Sequence, residues 1–277
     1  MGILFNDRTP INLPNMHTHL LDRIPLGGFL ILTIVLSMLC LELGYLLSKH
    51  RREKGIGDSE SSVGSMVGST LALLAFMLAF TFGLAYSRFD DRRALVVEEA
   101  NAIGTAFLRA DLIDEPHRSA VKNILREYID IRVQGSRHPS LLEMAVRKSE
   151  SLHDDLWAQA AMVGRTQDSD VIALFIDSVN EVIDIHTKRL AAGIQGRVPE
   201  SIWAALFFVA ALAMAGMGYQ IGLTGHRSWL TSVILVLTFS TVLWLIADLD
   251  RPWEGLLNVS QQSLVNLSEK IGLPVRK

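Results

Sequence analysis

Four stretches of this chain are long and apolar enough to cross a bilayer, and they restrict the architecture before anything else does. An α-helix needs roughly 20 apolar residues to span about 30 Å of hydrocarbon. Residues 24–47 meet this with one charge, Glu42, while 64–87, 201–223 and 229–247 contain no charged residue. The first stretch is too long for the apolar region of a signal peptide. It also follows a polar tail with two prolines, so it reads as an uncleaved anchor.

The rest of the chain has the opposite character. Residues 88–200 hold 15 Lys/Arg against 19 Asp/Glu, and 113 polar residues are too many for a loop. Four amphipathic helices are expected there. Ala100, Ile103, Phe107 and Ala110 step 3-4-3, one face of a helix. Val121, Ile124, Leu125, Tyr128 and Ile131 do the same after the Asp114-Glu115-Pro116 break. Gly135 and Pro139 separate the third helix, whose stripe is Ala145, Leu152, Leu156, Ala160 and Val163 and whose start fits a Ser140/Glu143 capping box. The fourth carries Ile172, Ile176, Val179, Ile183 and Leu190. Nothing alternates like a strand. The expected fold is an all-α integral membrane protein: an N-terminal tail (1–23), a first transmembrane hairpin (24–87), a polar four-helix domain (88–200), a second hairpin (201–247) and a C-terminal tail (248–277). No strong breaker interrupts residues 67–113, so the second span is expected to continue outward as one rod of about 70 Å.

Charge and cysteine content narrow the function. A net charge of −3 excludes a nucleic-acid binder that works by bulk positive charge. The single Cys40 excludes an intramolecular disulfide and cysteine-based metal centres. No nucleotide-binding, metalloprotease or nucleophile-elbow motif is present, so neither catalysis, a cofactor nor a metal is expected. His153-Asp154-Asp155 reads as a solvated helix face. Gly64/Gly68 and Gly218/Gly222 form small-xxx-small surfaces for close helix packing. Two hairpins offer too little mutual surface to occupy these within one chain, which points to a closed oligomer.

Three groups are candidate functional residues. Glu42 lies deep in a span at a cost of roughly 2.5–3.5 kcal/mol; it is either an ion-pathway residue or an interfacial carboxylate near Lys49 and Arg51. Arg88, Asp90, Asp91, Arg92, Arg93, Glu98, Glu99 and Asn101 follow the second span. They form either a salt-bridged exposed face or a polar collar at a vestibule. Asp248, Asp250, Arg251, Pro252, Trp253, Glu254 and Gly255 end the last span in a matching way, with Trp253 suited to the membrane interface.

These patches carry a resemblance. Ala85-Tyr86-Ser87-Arg88-Phe89 with Arg92/Arg93 resembles the end of the second membrane helix of bacterial bestrophins. Asp250-Arg251-Pro252-Trp253-Glu254-Gly255 is similar to their acidic-x-Pro-Phe-Gly motif. Glu42-Leu43-Gly44-Tyr45 and Glu99-Ala100-Asn101-Ala102-Ile103-Gly104 resemble a bacterial family of unknown function described as bestrophin-like. Two departures stand out: Glu254 is inserted before Gly255, and Leu256-Leu257-Asn258 replaces the acidic stretch that binds calcium in animal bestrophins. The resemblance implies a homopentamer in the bacterial inner membrane that conducts small ions through a pore lined by the second membrane helix. It also implies an apolar constriction at Phe76, Phe80 and Leu84, which packing against lipid or a neighbour would equally explain. The competing expectation is a non-conducting sensor or scaffold that binds a protein partner. Nine Lys/Arg near span ends (Arg8, Arg23, Arg88, Arg92, Arg93, Lys188, Arg189, Arg197, Arg251) against five (Lys49, Arg51, Arg52, Lys54, Arg227) favour a cytoplasmic polar domain and cytoplasmic termini.

Overall fold

The computed structural model describes residues 20–55, 59–137, 141–194, 196–225, 229–252 and 255–272, and among them there is no strand. The described residues form eight α-helices in order: α1 (Leu26–Glu53), α2 (Glu60–Arg109), α3 (His117–Arg137), α4 (Leu142–Thr166), α5 (Asp170–Ile194), α6 (Glu200–Thr224), α7 (Trp229–Asp250) and α8 (Gln262–Lys270). The four membrane spans lie on α1, α2, α6 and α7. The expected rod is a single helix of 50 residues, about 75 Å long, closed by a 3-10 turn at Ala110–Leu112. The chain divides into two compact units, which share α2. A membrane unit holds the described residues of Met1–Tyr86 and Val198–Leu256, and a polar unit those of Ser87–Arg197 and Leu257–Lys277.

In the membrane unit the closest packing joins α1 and α6, which belong to different hairpins. Phe29 meets Trp203 and Phe207 edge-on at 5.8 and 6.0 Å. Twelve residues further along α1, Leu41 faces Gly218, and Tyr45 and Ser48 face Gly222, so the two helices run parallel. Their backbones approach so closely that a Cβ on Gly218 would stand 1.8 Å from the Leu41 carbonyl oxygen. One on Gly44 would stand 1.9 Å from that of Ala215. Lipid tails are as apolar as leucine, so spans associate through such close van der Waals contact rather than through the hydrophobic effect. Leu41 and Met214 bury against Val236 of α7, with Leu71 of α2 alongside. The small-residue stripe on α6 is therefore filled within the chain, which corrects the expectation that Gly218 and Gly222 need a neighbouring subunit. Gly64 faces the Gln220 side chain, whereas Gly68 has open space around it.

The polar unit has an ordinary water-driven core. Val96, Ile103 and Ala106 of α2 pack with Val121, Leu125 and Tyr128 of α3, Leu152, Leu156 and Ala160 of α4, and Phe175, Val179 and Val182 of α5. The α4 stripe is buried as read from the sequence. On α5 Ile172 and Val179 are buried as expected, joined by Phe175, Val182 and His186, while Ile176 and Ile183 lie at the edge of the buried face. Gly135 does not separate two helices; it lies within α3, where a Cβ would collide with Ala145 at 2.7 Å. Ser140 and Pro139 lie outside the described residues, as do Trp253 and Glu254. The segment after Leu257 adds α8, whose Leu264 is fully buried and whose Leu267 packs beside Gly104.

The glycine contacts set up a sharp comparison. Gly218→Ala forces α1 and α6 apart and lowers the melting temperature in detergent, with loss of the monodisperse peak on size exclusion. Gly68→Ala, free of contacts, leaves the melt unchanged or raises it through better helix propensity, worth up to about 1 kcal/mol. Equal behaviour of the two variants would contradict this packing.

Candidate functional site

α2 carries one continuous outward stripe. Phe76, Phe80, Leu84, Ser87, Asp91, Ala94, Glu98, Asn101 and Thr105 recur at steps of three and four, which keeps them on one face of a helix. Phe76 and Phe80 are 69% and 65% exposed, Leu84 is half-buried, and the remaining members are exposed. Phe76 and Phe80 are thus not packed inside the chain, and Leu84 is packed only in part. Along the stripe the chemistry changes from apolar, before Ser87, to carboxylate and amide after it.

The polar collar does not form one group. Asp90, Asp91, Arg93, Glu98 and Asn101 are exposed and Arg88 is half-buried, but Arg92 and Glu99 point inward. Arg92 donates from Nη1 to the Gly196 carbonyl at 3.4 Å. Glu99 is 0% exposed and is the anion of a buried cluster that the sequence reading missed. Arg132 Nε of α3 lies 3.1 Å from Glu99 Oε1, and Arg189 of α5 pairs with Oε2. The Tyr128 hydroxyl donates to Oε1 at 2.7 Å. Arg189 also donates to Gln261 Oε1, just before α8, at 3.3 Å. Burial drives the Glu99 carboxyl upward, but the Arg132 and Arg189 guanidiniums and the Tyr128 hydroxyl overcome it and hold the pKa at about 2. The phenol of Tyr128 is pushed well above its usual value by burial and by the Glu99 charge.

Two imidazoles complete the cluster. His153 is buried, not on a solvated face, because it is in phase with Leu152 and Leu156 while Asp154 and Asp155 are exposed. Its ring lies 4.8 Å from that of Tyr128 and 4.7 Å from that of His186. His186 Nδ1 is 3.3 Å from the Tyr128 hydroxyl. Burial first, then the charge of Arg132 and the neighbouring His153, lower the His186 pKa to about 3. His186 is therefore neutral at physiological pH. Two cations around one buried carboxylate make this an ionic clamp on the part of α2 beyond the membrane.

The motif after α7 is a second buried polar group, in the membrane unit. Asp248, Asp250 and Arg251 are each at most 4% exposed. Asp250 Oδ1 accepts the Val198 amide at 2.7 Å, just before α6. Asp248 Oδ1 accepts the Leu256 amide at 2.8 Å. Arg251 donates from Nη2 to the Leu21 carbonyl at 2.6 Å and lies 3.8 Å from the Asp22 carboxylate. Gly255 sits at φ +130°, where a Cβ would fall 1.8 Å from Asp248 Oδ1; only glycine fits. Pro252 is half-buried in the turn. The motif thus ties the end of α7 to the entries of α1 and α6. Glu42 is half-buried and lines a groove between α1 and α7. Among the described residues no three His, Cys, Asp or Glu side chains come together to hold a metal ion.

A family model described as "Bestrophin-like domain" matches residues 31–264. No curated protein matches the chain. Two crystal structures of single-substitution variants of a bacterial bestrophin homolog from Klebsiella pneumoniae are similar in fold. The first has TM-score 0.63 and 16% identity over 88% of this chain and 96% of that one. The second has TM-score 0.61 and 15% identity over 89% and 97%.

Two stability measurements test the clamp. Glu99→Gln leaves two guanidiniums without their anion and costs about 3–5 kcal/mol, whereas Glu143→Gln, in the exposed pair with Arg147, costs at most about 0.5 kcal/mol. The pH dependence has a definite sign. The His186 folded pKa of about 3 lies below its unfolded value, so folding loses stability as pH falls below 6.5 and continues to lose it down to 3. At pH 5 this is on the order of 2 kcal/mol. The Glu99 contribution is still fully present at pH 5, because it is lost only as pH falls from about 4.5 through 2. Thermal melts at pH 7 and pH 5 should show this drop in wild type and a smaller one in His186→Gln.

Proposed function

Because this chain belongs to the bestrophin-like family, we propose that it is a homopentameric ion channel of the bacterial inner membrane, with α2 of each subunit lining the axis. The observation that carries this reading is the outward stripe on α2. A membrane helix that leaves two large phenylalanines about two-thirds exposed is suited to an apolar ring around an axis, and such a constriction gates by dewetting. Beyond the ring the same stripe offers Asp91, Glu98 and Asn101. Repeated five times, these make rings of carboxylates, which favour cations. Of the basic residues nearby, Arg92 is turned inward to Gly196 and Arg93 lies on another side of the helix, while Arg88, one turn before Asp91, is half-buried. The Glu99 clamp holds the outer half of α2, and the motif from Asp248 to Gly255 holds the membrane unit's helix ends. The polar unit and both termini lie in the cytoplasm. A cysteine at Ser61 in a Cys40→Ser background is then labelled from outside intact cells, and labelling at Ser140 instead would reverse the orientation.

Purified protein tests the reading. Native mass spectrometry gives a pentamer, and potassium flux from liposomes exceeds chloride flux. Phe80→Ala raises the flux by widening the ring. Asp91→Asn with Glu98→Gln brings the potassium-to-chloride ratio toward unity. A stable monomer or dimer, or pentamers of wild type and Phe80→Ala that both pass no ions, would leave the scaffold reading in its place.

A further inference from the structure

A groove of about 400 Å³ runs along the outside of the membrane unit between α1 and α7, within the usual size range of ligand sites. Ile34, Val35 and Met38 line one end, and Glu42, Trp229 and Ser232 the other. The two ends differ in chemistry and in depth. From Ile34 to Glu42 the helix rises about 12 Å. Glu42 lies roughly 10 Å by the same rise from Lys49, in the basic end of α1. Trp229, 69% exposed at the first residue of α7, is the residue type that settles at the headgroup level of a bilayer. The groove therefore has an apolar inner end and an acidic outer end close to the interface. Its lining residues Val35 and Leu39 are both exposed, so it opens toward hydrocarbon.

We propose that this groove binds one bilayer phospholipid, with an acyl chain along Ile34, Val35 and Met38 and a primary ammonium headgroup at the Glu42 carboxylate. The charge of Glu42 selects the headgroup. An ammonium offers three N–H donors and a positive charge, a quaternary trimethylammonium offers the charge without donors, and a glycerol headgroup leaves a net anionic lipid that the carboxylate repels. The site stands apart from the conduction reading, since lipid retention is measured whether or not the protein conducts.

Delipidated full-length protein is incubated with equal phosphatidylethanolamine, phosphatidylcholine and phosphatidylglycerol of the same acyl chains, and retained lipid is counted by native mass spectrometry. Wild type retains the ethanolamine lipid about fivefold over the glycerol lipid, the size of one interfacial charge contact, with the choline lipid between. Glu42→Gln removes the preference, and Val35→Trp, which fills the groove from an exposed position, removes retention of all three while the oligomer persists. Equal retention of the three lipids by wild type would overturn the proposal. So would a preference that survives Glu42→Gln, or an oligomer that retains none because a second copy covers the groove.

Discussion

One helix has to satisfy two solvents, and the rest of the structure follows from how it does so. α2 runs uninterrupted from Glu60 to Arg109. In hydrocarbon a backbone must pair all its own polar groups, and an uninterrupted helix does that without asking which face is covered. Before Ser87 its sequence can therefore leave phenylalanines outward. After Ser87 water penalises exposed apolar surface, and Val96, Ala100, Ile103 and Ala106 are all buried. The stripe from Phe76 to Thr105 is one face that neither demand covers, and it changes chemistry where the environment does.

The two units are held by different forces for the same reason. In the membrane unit, association of α1 with α6 depends on glycines that let carbonyl oxygens come within a methyl's reach of the facing helix. In the polar unit a hydrophobic core does most of the work, and the Glu99 clamp adds directionality to it. A buried carboxylate with two guanidiniums is weak evidence of net stability, since desolvation offsets much of the attraction. Its contacts are directional: Tyr128, Arg132 and Arg189 meet Glu99 at one rotation and height of α2. The motif from Asp248 to Gly255 does the corresponding task at the helix ends of the membrane unit, with carboxylates spent on backbone amides.

Much of this was legible in the sequence. Four spans, the long second helix and the α4 stripe follow from apolar run length and periodicity, and the family motifs from their resemblance to known sequences. What periodicity hides is a charged residue that shares the apolar phase. Glu99 stands beside Glu98 in a polar run, yet it is three residues from Val96 and four from Ile103, which are buried; Glu98 has neither relation. His153 and His186 are missed the same way, each in step with buried residues on its own helix. On α5 Ile172 and Val179 are buried as their spacing implies, but Phe175 and Val182 rather than Ile176 and Ile183 complete the face; Phe175 and Ile176 are both apolar, and only the packing of neighbouring helices decides between them. α8, a nine-residue helix, carries its own 3-4 stripe in Leu264, Leu267 and Ile271, but the stripe is short and its docking depends on residues more than a hundred positions away.

The central claim is that the outward stripe of α2 faces a fivefold axis. Pulsed electron–electron distance measurements on spin labels test it directly, with labels at Glu98→Cys and, separately, at Arg93→Cys in a Cys40→Ser background. The account predicts two intersubunit distances for each, the side and diagonal of a pentagon, with the Glu98 pair clearly shorter than the Arg93 pair. A single intersubunit distance, none at all, or a shorter pair at Arg93 would contradict it.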